Sequence, residues 1–367
     1  FGTDNKKLLE DPFYLGVRKP RVRGAKYFEM VDAFIDAWRK RFPNALLQWE
    51  DLSKSTAFDA LARYREKVPS FNDDIQGTGA MALAGLLAAT EQGKTLKEQV
   101  FLVSGAGAGG IGVAQQVRNG LVRLGMSAAE AHKRIFVLDS RGLILDDREG
   151  LEDYKKEFAH RRSDLAQWEF SSKNPNLLET IFNAKVTVLL GLSGQGASFD
   201  QKIIEAVMKN TKKPIVFALS NPTNLTEIMP EDAIAWTDGQ VWMATGSPFP
   251  AVTWKGKQHI IGQGNNTFVF PGIGWGVAAS GARTVEAEMM TDASFALASQ
   301  VTPERLASGA VFPPIADLMK VTDHVARAVA ESAMRIGVAT VSREQMDKRL
   351  SQRDWTPEYA NYEWDAS

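Results

Sequence analysis

Between Tyr27 and Phe42 the residues Phe28, Val31, Phe34, Ile35 and Trp38 recur at three- and four-residue intervals. That spacing predicts an amphipathic helix, because such positions share one face of a helix. The short apolar run Ala45-Leu46-Leu47-Gln48-Trp49 predicts a strand with Glu50 and Asp51 at its end, and Thr56–Val68 predicts another helix. From about Asp74 to Gly264 the pattern alternates. Gln99–Val103 predicts a strand, followed by a glycine-rich turn and a helix over Ile111–Leu124. Ser127-Ala128-Ala129-Glu130 has the capping-box pattern and starts a short helix ahead of a strand at Ile135–Leu138. Val186–Leu190, Ile215–Leu219 and Trp242–Thr245 are further strand-like runs, each ending in Gly, Ser, Asn or Thr. Such alternation predicts an α/β fold with a doubly wound parallel sheet of Rossmann type and a site at its carboxyl edge. A mainly helical stretch runs from about Asn265 to Gly337.

The expected organisation is a discontinuous substrate and metal domain (1–73 and 265–337) around a dinucleotide-binding domain (74–264). The polar stretch 338–367, with Trp355, Tyr359, Tyr362 and Trp364, is expected to pack on a neighbour. With 44% hydrophobic and 24% charged residues, the 367-residue chain has a soluble globular composition. Its net charge of -1 gives no basic field for nucleic acid or a membrane surface. The longest apolar stretch, near Ala80–Ala89, falls short of the roughly 20 residues of a membrane span. The absence of cysteine removes disulfides, thiolate metal sites and a thiol nucleophile. A cytoplasmic location is expected, with an organellar targeting segment upstream of Phe1 left open.

Gly105-Ala106-Gly107-Ala108-Gly109-Gly110 fits G-x-G-x-x-G between a predicted strand and a predicted helix. Gly105 permits the turn, Gly107 lets the backbone approach a pyrophosphate, and Gly110 lets helix and strand pack closely. The next strand ends in Asp139, which reads either as the acid that binds the ribose hydroxyls or as a turn residue. The hydroxyl of Ser140 and the guanidinium of Arg141 tilt the choice of dinucleotide slightly from NAD toward NADP, with Lys155 and Lys156 adding charge if the loop folds back. A solvated charged loop accounts for the same residues. Two pairs of adjacent acids stand out, Glu50-Asp51 and Asp73-Asp74. Adjacent carboxylates repel, so enclosing them calls for a cation, and oxygen-only donors suit Mg²⁺ or Mn²⁺. Surface acids that cap helices are the plainer alternative. The histidines, His132, His160, His259 and His324, match no ligand spacing and read as structural or surface residues.

Trp49-Glu50-Asp51 and Phe71–Thr78 (FNDDIQGT) resemble signatures of the malic enzyme family. So do Ser220-Asn221-Pro222-Thr223, Thr245–Phe249 (TGSPF), Gly262–Asn266 (GQGNN) and Phe270-Pro271-Gly272, in order and in register from Gly2 onward. The resemblance implies an oxidoreductase that oxidatively decarboxylates L-malate to pyruvate with NAD or NADP and Mg²⁺ or Mn²⁺. It places the metal ligands on Glu50, Asp51 and Asp74, and a supporting acid for proton transfer on Asp73. It places the substrate-holding carboxamides on Asn221 and Asn266, Asn221 also bordering the cofactor. It further implies a homodimer or homotetramer. The family's catalytic tyrosine and lysine and its substrate-gripping arginine belong to motifs upstream of the Gly2-Thr3-Asp4-Asn5 segment. These 367 residues are therefore expected to bind dinucleotide and metal but to turn malate over poorly. A malolactic enzyme, which makes lactate with bound NAD, fits FNDDIQGTG too. A non-catalytic dinucleotide-binding module and an amino-acid dehydrogenase are the readings of a different class.

Overall fold

A computed structural model describes residues 1–352 and residue 359. It falls into two compact units, Phe1–Leu46 and Leu47–Ser367. In the first, Thr3 N donates to Lys19 O at 2.9 Å, Arg21 N donates to the Asp4 carboxylate at 2.9 Å, and Asp4 also pairs with Arg23. Asn5 caps a short helix, Lys6–Glu10. The predicted amphipathic helix spans Gly24–Arg41. Val31 and Ile35 carry its buried stripe, while Phe34 is 45% exposed with its ring 5.8 Å from Trp38.

The second unit opens with two parallel strands, β1 (Leu47–Trp49) and β2 (Ser70–Asn72), linked by the helix Lys54–Tyr64. That helix stops short of its predicted end. Pro69 disfavours helical backbone before it, and Tyr64 is buried with its ring stacked 5.4 Å from Trp49. After β2 comes a π-helical turn, Asp73–Gly77, and then the helix Thr78–Ala89. This second helix is the longest apolar run of the sequence. A helix that is apolar on every side has to be enclosed, and all but Thr78 of its residues are buried.

The main sheet has seven strands: β3 (Phe101–Ser104), β4 (Ile135–Asp139), β5 (Gly142–Leu143), β6 (Val188–Gly191), β7 (Ile215–Ala218), β8 (Trp242–Thr245) and β11 (Gly262–Gln263). Their order across the sheet is β11-β8-β7-β6-β3-β4-β5. Every neighbouring pair is parallel except β4 and β5. Each strand predicted in this region is present within two residues of its expected limits. The edge strands β5 and β11 and the hairpin of β9 (Val252–Trp254) with β10 (Lys257–His259) were not anticipated. β6 and β7 are buried along their whole length, as a parallel sheet covered on both faces requires. The chain leaves β3 for β4 on one side and later returns to β6 on the other. That reversal opens a crevice at the carboxyl ends of β3 and β6.

The predicted helical stretch forms Phe270–Ser280, Ala287–Ala298, Pro303–Ala307 and Leu318–Arg335. A last helix, Arg343–Ser351, is capped by Ser342 and Gln345 and lies against Phe270–Ser280, with Met346 buried and Arg349 Nη1 donating to Ala278 O at 3.3 Å. Tyr359 is fully exposed; Trp355, Tyr362 and Trp364 lie outside the described residues. Among the described residues no helix is long and apolar enough to cross a membrane.

Candidate active site

β1 ends at Trp49, so Glu50 and Asp51 emerge together from the strand end, and β2 delivers Asp73 and Asp74 beside them. Oxygen atoms of Glu50, Asp51 and Asp74 all lie within 4.8 Å of one another. Asp51 adopts φ +56°, an uncommon region for a residue with a side chain, and its N–H donates to Asp74 Oδ2 at 2.9 Å. Gln48 Nε2 donates to Glu50 at 2.8 Å. Burial, and after it the neighbouring negative charges, push the Glu50 and Asp74 carboxyls above their usual range despite these hydrogen bonds. Three mutually repelling, oxygen-only donors that converge on one point suit a hard divalent cation, which would offset the repulsion.

Asp73 lies deeper, only 3% exposed. Asn266 Nδ2 donates to Asp73 Oδ2 at 2.8 Å and to Thr78 Oγ1 at 3.0 Å, tying the helical half of the unit to the π-helical turn. Burial first, then Glu50 and Asp74, overcome this hydrogen bond and raise the Asp73 carboxyl to about 6. Its Oδ1 is buried without a hydrogen-bond partner. That oxygen sits where only glycine fits opposite: a Cβ on Gly77 would stand 1.9 Å from it. Single π-helical turns occur frequently at functional sites.

The glycine loop lies next to this cluster. A Cβ on Gly109 would come 3.6 Å from Asp74 O. Gly105 has φ +118°, and a Cβ there would meet Leu192 O at 2.3 Å. Gly110 touches the turn so closely that a Cβ would stand 1.7 Å from Gly105 O. Gly107 precedes the helix Ala108–Arg123 and faces a cavity of about 600 Å³. The walls of this cavity come from the glycine loop, from Asp139, Ser140 and Arg141 after β4, and from Leu192–Gln195 after β6. The volume and the helix N-terminus suit a dinucleotide.

Asp139 is held by Arg148, whose Nη2 donates to both carboxylate oxygens at 2.8 and 2.7 Å, and by Lys155 Nζ at 3.2 Å. Arg141 N adds a third donor at 2.9 Å. Burial raises the Asp139 carboxyl, but these hydrogen bonds, that of Arg148 above all, outweigh it and the net shift is downward. Of the two lysines expected from the loop, Lys155 folds back onto Asp139, whereas Lys156 pairs with Asp153 in solvent. Arg148, nine residues from Asp139 in an irregular loop, has no signal in the sequence. Nor has Glu227, which is fully buried and accepts from Ser193 N at 3.1 Å, Ser193 Oγ at 3.2 Å and Ser220 Oγ at 2.5 Å. It thereby clamps the loop after β6 to the loop after β7, next to Asn221. Asn221 itself is exposed beyond β7 and is not part of the cavity wall. Asn266 joins the acidic cluster. His160 is buried, its Nε2 donating to Ile135 O at 2.9 Å, with burial holding its pKa at about 4.

Crevice, glycine loop and strand order define a Rossmann-type α/β protein. Residues 75–334 match the family model described as the malic enzyme NAD binding domain, and residues 1–65 match that of the malic enzyme N-terminal domain. The chain belongs to the malic enzyme family. It is 43% identical over 363 residues to the NAD-dependent malic enzyme of Proteus mirabilis and 42% identical to that of Photorhabdus laumondii. Both alignments cover 98% of this chain and 64% of the relative, so the chain spans just under two thirds of their length. A malic enzyme of Entamoeba histolytica superposes with a TM-score of 0.68 at 25% identity, over 87% of this chain and 61% of that one. One from Pyrococcus horikoshii gives 0.63 at 28% identity, over 87% and 69%.

Proposed function

We propose that this chain acts in the oxidative decarboxylation of L-malate to pyruvate and CO₂, with NAD as oxidant and Mg²⁺ or Mn²⁺ as resident cation. The observation that carries this reading is the convergence of Glu50, Asp51 and Asp74 beside a Rossmann crevice. When bound, the cation polarises the malate oxygens and the nicotinamide accepts hydride. Glu50, Asp51 and Asp74 hold the cation. Asn221 would orient the substrate by its carboxamide donors, which bind a carboxylate without adding charge, and Asn266 would join it by giving up its bond to Thr78. Asp73, raised to about 6 and with one oxygen unpaired, would hold a proton beside the acidic cluster. Gly105, Gly107 and Gly110 admit the pyrophosphate; Asp139, with Ser140 and Arg141, takes the adenosine ribose.

Two features support NAD over NADP. Both relatives quoted above are named NAD-dependent. Arg148 and Lys155 are committed to the Asp139 carboxylate and so are not free to bind a 2′-phosphate. The domain partition 1–73 with 265–337 around 74–264, and assembly as a homodimer or homotetramer, belong to the same proposal. The family's tyrosine and lysine motifs stand upstream of Gly2 in register, and a proton-transfer group contributes roughly 10²- to 10⁴-fold to turnover, so slow turnover is proposed for these residues by themselves.

The test is to incubate the chain with L-malate, Mn²⁺ and either NAD⁺ or NADP⁺, measuring reduced cofactor, pyruvate and lactate. The expected result is slow, NAD-preferring, EDTA-sensitive formation of NADH and pyruvate in equal amounts. Lactate without net NADH identifies malolactic chemistry. NADH formation untouched by EDTA, or no NAD⁺ binding at all, overturns the proposal.

A further inference from the structure

The dinucleotide cavity has one wall that does not come from the Rossmann sheet. Lys54, three residues beyond Asp51, lines it opposite the glycine loop. Its Cε lies 3.7 Å from the point where a Cβ on Gly107 would stand, so the end of the lysine reaches the glycine whose backbone faces the cofactor space. Lys54 is exposed and has no ion pair or side-chain hydrogen bond among the described residues.

Lys54 is the first residue of the helix Lys54–Tyr64, whose N-terminal end carries partial positive charge, and no acidic residue occupies that first turn. The preceding Ser53 does not cap the helix; its hydroxyl is turned to Thr56 Oγ1 at 2.9 Å. Ala108–Arg123, on the other side of the cavity, likewise begins without a side-chain cap or an acidic first turn. The acids of the cavity wall, Asp139 and Glu152, are already paired with Arg148 and Lys155. A lysine with no ion pair among the described residues and two helix ends without side-chain caps thus border the same crevice. A diphosphate in that crevice would meet all three.

We infer that Lys54 binds the pyrophosphate of the dinucleotide, pairing with it from the segment that also supplies Glu50 and Asp51. This rests on the cofactor reading above and adds to it a residue outside the glycine motif. One short stretch after β1 then serves both cation and cofactor.

The test uses the full chain without metal, and compares it with Lys54→Met, which keeps the stem and removes the charge, and with Lys54→Arg. Dissociation constants are measured for NAD⁺, for ADP-ribose, which keeps the diphosphate but lacks nicotinamide, and for adenosine, which has no phosphate. An exposed charge-assisted contact predicts about tenfold weaker binding of NAD⁺ and ADP-ribose to Lys54→Met. Adenosine binding should be unchanged, the salt dependence of ADP-ribose binding shallower, and affinity largely restored in Lys54→Arg. The melting temperature of Lys54→Met should stay level or rise, because a cation leaves a helix N-terminus. Absence of NAD⁺ binding by the unaltered chain overturns the cofactor reading and this inference with it. Binding by the unaltered chain with equal affinity in Lys54→Met overturns the Lys54 assignment alone. So does an equal loss for adenosine.

Discussion

Asp73→Asn separates the charge of the buried acid from its shape. The wild-type carboxyl binds its proton more tightly in the folded chain, at about 6, than in an unfolded one, at 3.8. The folded state therefore takes up a proton relative to the unfolded state between these values, and stability declines as pH rises through them. Each tenfold change in proton affinity is about 1.4 kcal/mol, so ionised Asp73 destabilises the fold by up to about 3 kcal/mol above pH 7. Asparagine keeps an acceptor for Asn266 and carries no charge. It also relieves repulsion on Glu50 and Asp74, whose carboxyls are raised in the same sense. The amide placed where Oδ1 was unpaired has its own cost, but that cost does not depend on pH. Urea denaturation of both proteins in EDTA, from pH 4 to 8, reads the difference directly. The variant should gain on the wild type progressively between about pH 4 and 6 and hold a constant lead above pH 7, by about 2–3 kcal/mol relative to pH 4. A difference independent of pH would refute the account of a carboxylate destabilised by burial and like charge.

Further consequences are open to the same methods. Gly110→Ala forces a methyl to within 1.7 Å of Gly105 O, so the loop has to move; NAD⁺ binding should be lost and the melting temperature should fall, and a melt unchanged within a degree would contradict the packing. Arg148→Met leaves Asp139 half-buried without its bidentate partner; destabilisation by about 3 kcal/mol at pH 7 is expected, shrinking as the pH drops below 4 and the acid is protonated, and a loss constant with pH would speak against it. Glu227→Ala strands the Ser193 and Ser220 hydroxyls and should cost about 2–4 kcal/mol, whereas a loss under 0.5 kcal/mol would show that the clamp is dispensable.

The sheet was legible because β3, β4, β6, β7 and β8 are runs of consecutive apolar residues bounded by glycine or polar turns, a local signal. The acidic cluster of the candidate site was legible for a related reason: Glu50 and Asp51 stand at a strand end and the FNDDIQGT octamer is contiguous. Arg148 and Glu227 were not, because their partners Asp139, Ser193 and Ser220 lie 7 to 34 residues away across irregular loops. The two-residue edge strands β5 and β11 are too short to show a period. The π-turn at Asp73 arises from tertiary demands, Asn266 and Asn72 fixing the acid and Ile75 N, and a helical pattern does not announce it.

Everything in the functional account turns on whether three side chains share one cation. Titration of Mn²⁺ into the purified chain, followed by loss of the free-ion electron spin resonance signal, reads this without turnover. One tight site per chain is predicted, weakened more than about tenfold by Glu50→Gln and by Asp74→Asn alike. Mn²⁺ uptake that is absent, or equal in the wild type and both variants, would contradict it.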